Sequence, residues 1–141
     1  HFYQLKTLDL SQSCFLRNIQ WDNFVRLESL RELNVHGCNL SDTQFSKFGS
    51  LPLLNKLDLS NNRITDLGLA FLCSWTNLVT LDVSQNHVSN RGLAALQGLQ
   101  RLQDVEAFCT DICEPLSFHF RVWILGSHGS LLMRLFSNVS C

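Results

Sequence analysis

The sequence predicts an α/β solenoid, with about five parallel strands on one face and short helices on the other. Three observations point to it. An apolar pattern recurs as Leu5-x-x-Leu8-x-Leu10, Leu30-x-x-Leu33-x-Val35, Leu54-x-x-Leu57-x-Leu59, Leu78-x-x-Leu81-x-Val83 and Leu102-x-x-Val105-x-Ala107. The steps are 25, 24, 24 and 24 residues. A period in that range marks stacked supersecondary units, because no single unit can bury its own apolar face. Next, a small polar residue follows each hexad at one place: Ser13, Cys38, Asn62, Asn86 and Thr110. Finally, the rest of each unit carries apolar residues at every third position, one side of a short α or 3₁₀ turn.

Within a unit the elements follow in order. The hexads place strands near Thr7–Leu10, Glu32–Val35, Lys56–Leu59, Thr80–Val83 and Asp104–Ala107. After each, the chain must turn inward, and the small polar residue satisfies backbone groups there. Asn does this best; Cys, Ser and Thr fit the space with fewer bonds. Two residues on, Phe15, Leu40, Ile64, Val88 or Ile112 returns to the core. The back halves carry Trp21, Phe24, Leu27; Phe45, Phe48, Leu51; Leu69, Leu72, Trp75; and Leu93, Leu96, Leu99. Ser41, Thr65 and Ser89 stand at N-cap positions, and Ser41-x-x-Gln44 reads as a capping box. Gly49 and Gly98 fall where the helical segments should end.

The extended pattern resembles the L-x-x-L-x-L-x-x-N/C-x-L signature of the leucine-rich repeat family over roughly residues 2 to 112. The segments Ile64-Thr65-Asp66-x-Gly68-Leu69 and Val88-Ser89-Asn90-x-Gly92-Leu93 are similar to the helical-backed repeats common in its intracellular members. The resemblance implies a right-handed leucine-rich repeat solenoid. It also implies a non-catalytic protein–protein interaction scaffold in the cytoplasm, with a partner on the concave face. Family members serve as adaptors, ligase substrate receptors, inhibitors and immune receptors. The alternatives are an extracellular ligand-recognition domain of receptor type, or a structural spacer within a larger protein.

At 141 residues the chain is one domain, with a stack over 1–112 and a C-terminal cap or tail over 113–141. Its 45% apolar content suffices for a continuous core. A net charge of −1 carries no general signal for polyanion binding. His1 at the start suggests an excised or processed piece, no leader peptide is visible, and Phe2 fits the end of a missing unit. The apolar stretch 116–136 holds Arg121 and Arg134, which argues against a membrane span. The period breaks after Ile112: the next Leu is due at 126, where Gly126 stands, and Cys113-Glu114-Pro115 ends the stack. Phe118, Phe120, Val122 and Ile124 alternate as a strand would, whereas Leu131, Leu132, Leu135 and Phe136 have helical spacing.

Six cysteines raise the question of disulfides. Cys38 holds the inward-turn position and should be a buried free thiol. Cys14 and Cys109 lie about four strands apart, roughly 19 Å, which is too far to bridge. Cys73 stands alone on a helical back, and only Cys109, Cys113 and Cys141 are left to meet. A reducing compartment follows. Cys109, Cys113, His119 and His128 have no recognised zinc spacing, so no metal and no cofactor is expected. Asn39-Leu40-Ser41 and Asn138-Val139-Ser140 fit the glycosylation sequon and matter only in a secreted chain.

Strand alternation points two columns outward along the concave face. One reads Asp9, Asn34, Asp58, Asp82, Glu106; the other Ser11, His36, Ser60, Ser84, Phe108. His36, Ser60 and Asp58 together suggest a hydrolase set on paper, but an open sheet supplies no oxyanion hole and no exclusion of water. The charge pattern says more. Glu32 and Asp104 add to the acids of this face, and Lys56 is its central base. Such a face disfavours nucleic acid, whose phosphates need Lys and Arg. The expected partner-binding residues are therefore Asp9, Asn34, His36, Lys56, Asp58, Asp82, Asp104, Glu106 and Phe108, facing a protein partner for which a basic surface is the expectation. The aromatic Phe108 is the best anchor candidate.

Overall fold

A computed structural model describes residues 4–13, 27–108, 110–112, 121–125 and 131–134, the last two segments by their backbone alone. One sheet runs through all of it. Its strands are β1 (Thr7–Asp9), β2 (Glu32–Asn34), β3 (Lys56–Asp58), β4 (Thr80–Asp82), β5 (Asp104–Glu106), β6 (Arg121–Leu125) and β7 (Leu131–Arg134), side by side in chain order. Strands β1 to β6 are parallel, and β7 returns antiparallel to β6. Helices α1 (Asp42–Phe45), α2 (Asp66–Ala70) and α3 (Asn90–Ala95) fill the crossovers. Each runs on into a 3₁₀ turn, at Ser46–Phe48, Phe71–Ser74 and Leu96–Gly98.

The repeats stack in register. Leu8, Leu33, Leu57, Leu81 and Val105 pair across the sheet, as do Asp9, Asn34, Asp58, Asp82 and Glu106. The five strands expected from the hexads are therefore present and parallel. Each closes one residue early, because the chain has begun its inward turn. The ladder nonetheless continues past the strand ends: Leu10 N–H donates to Asn34 O and Leu59 N–H to Asp82 O, both at 2.8 Å.

Beyond β5 the period shortens. Asp104 pairs with Arg121 and Val105 with Val122, so β6 joins the sheet earlier than the 24-residue repeat would place it. Val122 and Ile124 lie on β6; Phe118 and Phe120 lie outside the described residues. The helical spacing read at Leu131 and Leu132 is corrected: both belong to β7, paired with Leu125 and Ile124. A run of four apolar or long side chains fits either period, and here backbone pairing with β6 decides. Leu135, Phe136, Trp21, Phe24, Cys14, Cys113, Cys141, His119 and His128 also fall outside the described residues, as do both the sequon at Asn138 and Cys109.

The core fills the space between sheet and helices. Leu57, Leu59, Ile64, Leu69 and Leu72 are buried together, with Asn62 among them. Phe45 packs against Phe48 and Trp75, ring centroids 5.6 Å apart in both pairs. The indole N–H of Trp75 donates to Gly49 O at 3.0 Å, so this large residue is buried without stranding its polar atom.

Two ladders of side chains join unit to unit. In the first, Asn62 Nδ2 donates to Val35 O (2.9 Å) and Leu59 O (2.8 Å), and Asn62 Oδ1 accepts from Leu40 N–H at 2.9 Å. Asn86 repeats this one unit on, with Leu59 O and Ile64 N–H. Cys38 donates to Leu10 O at 3.0 Å and to His36 O at 3.5 Å. In the second ladder, Asp42 Oδ1 accepts from Thr65 N–H and its Oδ2 from the Thr65 hydroxyl. Asp66 does the same for Ser89. The Thr65 and Ser89 oxygens in turn cap α2 and α3. A Cβ at Gly68 would strike the Asp42 carboxylate, and one at Gly92 the Asp66 carboxylate. The Asp-x-Gly element thus has a physical reason: the Asp of one unit occupies the space its successor leaves by carrying glycine.

Candidate functional site

The outward residues of β1 to β5 form an open face with two shallow hollows. The larger, about 550 Å³, lies over β3, β4 and β5 and is lined by Lys56, Asp58, Thr80, Asp82, Asp104 and Glu106. The smaller, about 250 Å³, spans β1 to β3 and includes Asp9, Glu32, Asn34, Lys56 and Asp58. Of the expected residues, these hollows gather seven. His36 and Phe108 line neither; they stand past the strand ends, in the column of Ser60 and Ser84. Thr80 also lines the larger hollow, and its register between Lys56 and Asp104 is the sequence signal for it.

The acidic column has work within the fold. Asp9, Asp58 and Asp82 each accept through Oδ1 the backbone N–H two residues on, from Ser11, Ser60 and Ser84 at 2.8 to 2.9 Å. These bonds close the turn that leaves the strand. Asn34 does the same for His36 N–H at 2.9 Å, with an amide in place of a carboxylate. The turn therefore needs a side-chain oxygen at this place and no charge. Glu106 is too long for this contact, and the turn after it borrows a bond from the preceding unit: Phe108 N–H donates to Ser84 Oγ at 3.0 Å.

Strands about 4.8 Å apart bring these carboxyls into one another's field. Partial burial is the main force pushing Asp82 up from its ordinary value, with the Asp58 charge adding to it and hydrogen bonds from Ser84 opposing. Glu106 is pushed up too, first by burial and then by Asp82, Asp58 and Asp104, while Lys56 pulls the other way. Asp9, at the edge, is held down by its hydrogen bonds from Ser11.

His36, Ser60 and Asp58 do meet. Ser60 Oγ lies 2.8 Å from His36 Nδ1 and 2.5 Å from Asp58 Oδ1. The serine stands in the middle. Its proton goes to the carboxylate, so its oxygen accepts from the imidazole N–H. A hydrolytic triad needs the imidazole between the other two, free to take the serine proton. Ser60 is moreover buried. The order of bonds is that of a structural tie between adjacent units. Among the described residues no group of three or more His, Cys, Asp or Glu side chains is placed to hold a metal ion. No helix among them is long and apolar enough to cross a membrane.

Comparison with known proteins agrees with this architecture. The family model for leucine-rich repeats in two copies matches residues 52–105, and the single-repeat model matches residues 29–51. A search of curated proteins by sequence found no match. Among solved structures, internalin C2 from Listeria monocytogenes is similar at 26% identity and a TM-score of 0.55, over 66% of this chain and 38% of that one. Internalin inlF of the same organism is similar at 20% identity and a TM-score of 0.57, over 75% and 33%. The leucine-rich repeat domain of APL1B is similar at 15% identity and a TM-score of 0.61, over 88% and 40%. The chain thus spans about two fifths or less of the length of these structures. Domains with these repeats are typically protein-interaction modules. The matched models run without a gap over more than half of the chain, the solved neighbours share its fold, and this chain belongs to the leucine-rich repeat family.

Proposed function

We propose that this chain is a non-catalytic protein-binding scaffold, cytoplasmic, whose partner docks on the concave face and presents basic side chains to it. One observation carries the reading. Asn34 closes its turn without a charge, so the fold does not require the charges at Asp58 and Asp82. Both nevertheless face the hollow beside Asp104 and Glu106. Burial and mutual repulsion already act against ionisation at Asp82 and Glu106. Cationic groups of a partner would relieve that repulsion, and the face would repel nucleic acid. In this reading Asp9, Asn34 and His36 contact one end of the partner, Lys56, Asp58, Asp82, Asp104 and Glu106 its centre, and Phe108 anchors the other end. Residues 1–112 are the binding stack, and the strands β6 and β7 within 113–141 cap its last unit.

The test is affinity capture of partners by the parent chain and three variants. Asp58→Lys with Asp82→Lys should slow association by about tenfold or more, since exposed charges steer encounter. Phe108→Ala should speed dissociation instead. Lys47→Glu with Arg91→Glu, on the helical side, should leave this partner bound. Capture that survives the strand changes and is lost with the helix changes refutes the concave site.

A further inference from the structure

The helix layer carries a feature that the concave face does not explain. The N-caps Ser41, Thr65 and Ser89 are 24 residues apart, so equivalent helix positions fall into columns. One column reads Thr43, Leu67, Arg91, and the column one turn on reads Lys47, Phe71, Ala95, all exposed except the half-buried Ala95. The flanking units show that neither column needs a large apolar residue. The middle unit has one in both, with Leu67 71% exposed and Phe71 46% exposed. The inward-facing Leu69 and Leu72 of the same unit are fully buried, so Leu67 and Phe71 are not core residues displaced outward. Residues four apart share a helix face, which makes Leu67 and Phe71 one patch. Exposed Ala70 and Ala94 extend it at low relief.

The rim of this patch is positive. Arg91 stands beside Leu67 on α3, Lys47 stands beside Phe71 after α1, and both are exposed. Exposed Arg63 lies just ahead of the Thr65 cap. The two acids of the helices, Asp42 and Asp66, engage both carboxylate oxygens with Thr65 and Ser89. The charge offered to a partner here is therefore opposite in sign to that of the strand face.

We propose that Leu67 and Phe71, rimmed by Lys47 and Arg91, form a second docking site that takes an acidic amphipathic helix of a partner protein. Apolar residues one turn apart on that helix cover Leu67 and Phe71, and acidic residues on its two flanks meet Lys47 and Arg91. A helix suits the site because its apolar stripe with acids on both sides matches a patch with bases on both sides.

The probe is a short synthetic amphipathic peptide with leucines on one face and glutamates flanking them, labelled for fluorescence anisotropy. A second peptide carries lysines for the glutamates. The parent protein should bind the glutamate peptide and discriminate against the lysine peptide. Leu67→Ser and Phe71→Ser should each weaken binding by about tenfold. Lys47→Glu with Arg91→Glu should reverse the preference between the peptides. Asp58→Lys with Asp82→Lys should leave glutamate-peptide binding unchanged, which separates this site from the concave one. Thermal melts by circular dichroism check that the variants stay folded, as substitutions at exposed positions should. The proposal is overturned if the parent fails to bind the glutamate peptide, binds both peptides equally, or binds as well without Phe71. It is also overturned if sedimentation shows a dimer that Phe71→Ser dissolves, which assigns the patch to a second copy of the chain.

Discussion

Replacing Asn62 by leucine keeps the branched shape of the side chain and removes its polar atoms. The parent side chain makes four bonds there. Two of the carbonyls keep another partner in the variant: Leu59 O still accepts from Asn86 Nδ2, and Ser60 O from Gly37 N–H. The Leu40 N–H and the Val35 carbonyl lose their side-chain partner, and both residues are fully buried. A buried polar group left unsatisfied costs about 1–3 kcal/mol, so two of them set an expected loss of about 2–6 kcal/mol. Asn62→Cys should cost less, because Cys38 shows that a thiol in this position keeps the bond to the preceding unit's carbonyl. The assay is urea denaturation followed by far-ultraviolet circular dichroism, comparing midpoints at constant slope. A loss below about 1 kcal/mol for Asn62→Leu, or a cysteine variant no better than leucine, would refute the account.

Three further outcomes are expected. Gly92→Ala should destabilise by about 1–3 kcal/mol through collision with the Asp66 carboxylate, and cost clearly less in an Asp66→Ala background, where only the 3.2 Å approach to the backbone Cα of residue 66 is left; an additive double-mutant cycle would contradict this. Asp82 and Glu106 hold their protons more tightly in the folded chain than in the unfolded one. Their contribution to stability is thus present below the ordinary carboxylate range and lost as pH rises through their raised folded values. Asp82→Asn keeps an oxygen for Ser84 N–H and removes that titration. The variant should be more stable than the parent at neutral pH, by a margin that shrinks on acidification; a margin that grows would show the sign is wrong. Cys38, 3% exposed, should resist alkylation in the native protein while the exposed Cys73 reacts, and mass spectrometry of the labelled protein reads both sites.

The hexads made the strands, their register and the buried columns legible, because a two-residue period on the strand and a fixed unit length leave one way to stack. The turn residue was legible for the same reason: Asn62 and Asn86 sit where the chain has polar groups to satisfy. The ending was not. The alternation at Val122 and Ile124 pointed to a strand, but no period announces that β6 joins after a short crossover or that Leu131 and Leu132 pair with it. Long-range backbone pairing settled that. At the concave face the columns were legible, and their division of labour was less so. Asp9, Asp58 and Asp82 look alike in sequence as bearers of charge, whereas the bonds to Ser11, Ser60 and Ser84 give them a role that Asn34 fills equally well. The His36, Ser60 and Asp58 association was visible from spacing, but which of the three stands in the middle was not.

The Asp-to-glycine contact between units also sets a grammar for recombination. The unit carrying Asp42 must be followed by one with a glycine like Gly68, and the unit carrying Asp66 by one with Gly92. Where the sequence places Arg17 at the corresponding position, the following helix carries Gln44 instead. A repeat is therefore not a free cassette. Chimeras spliced at the strand boundaries would transplant half of each matched pair and set a carboxylate against a side chain. Splices placed so that the aspartate and the next unit's glycine travel together keep the lock with its key.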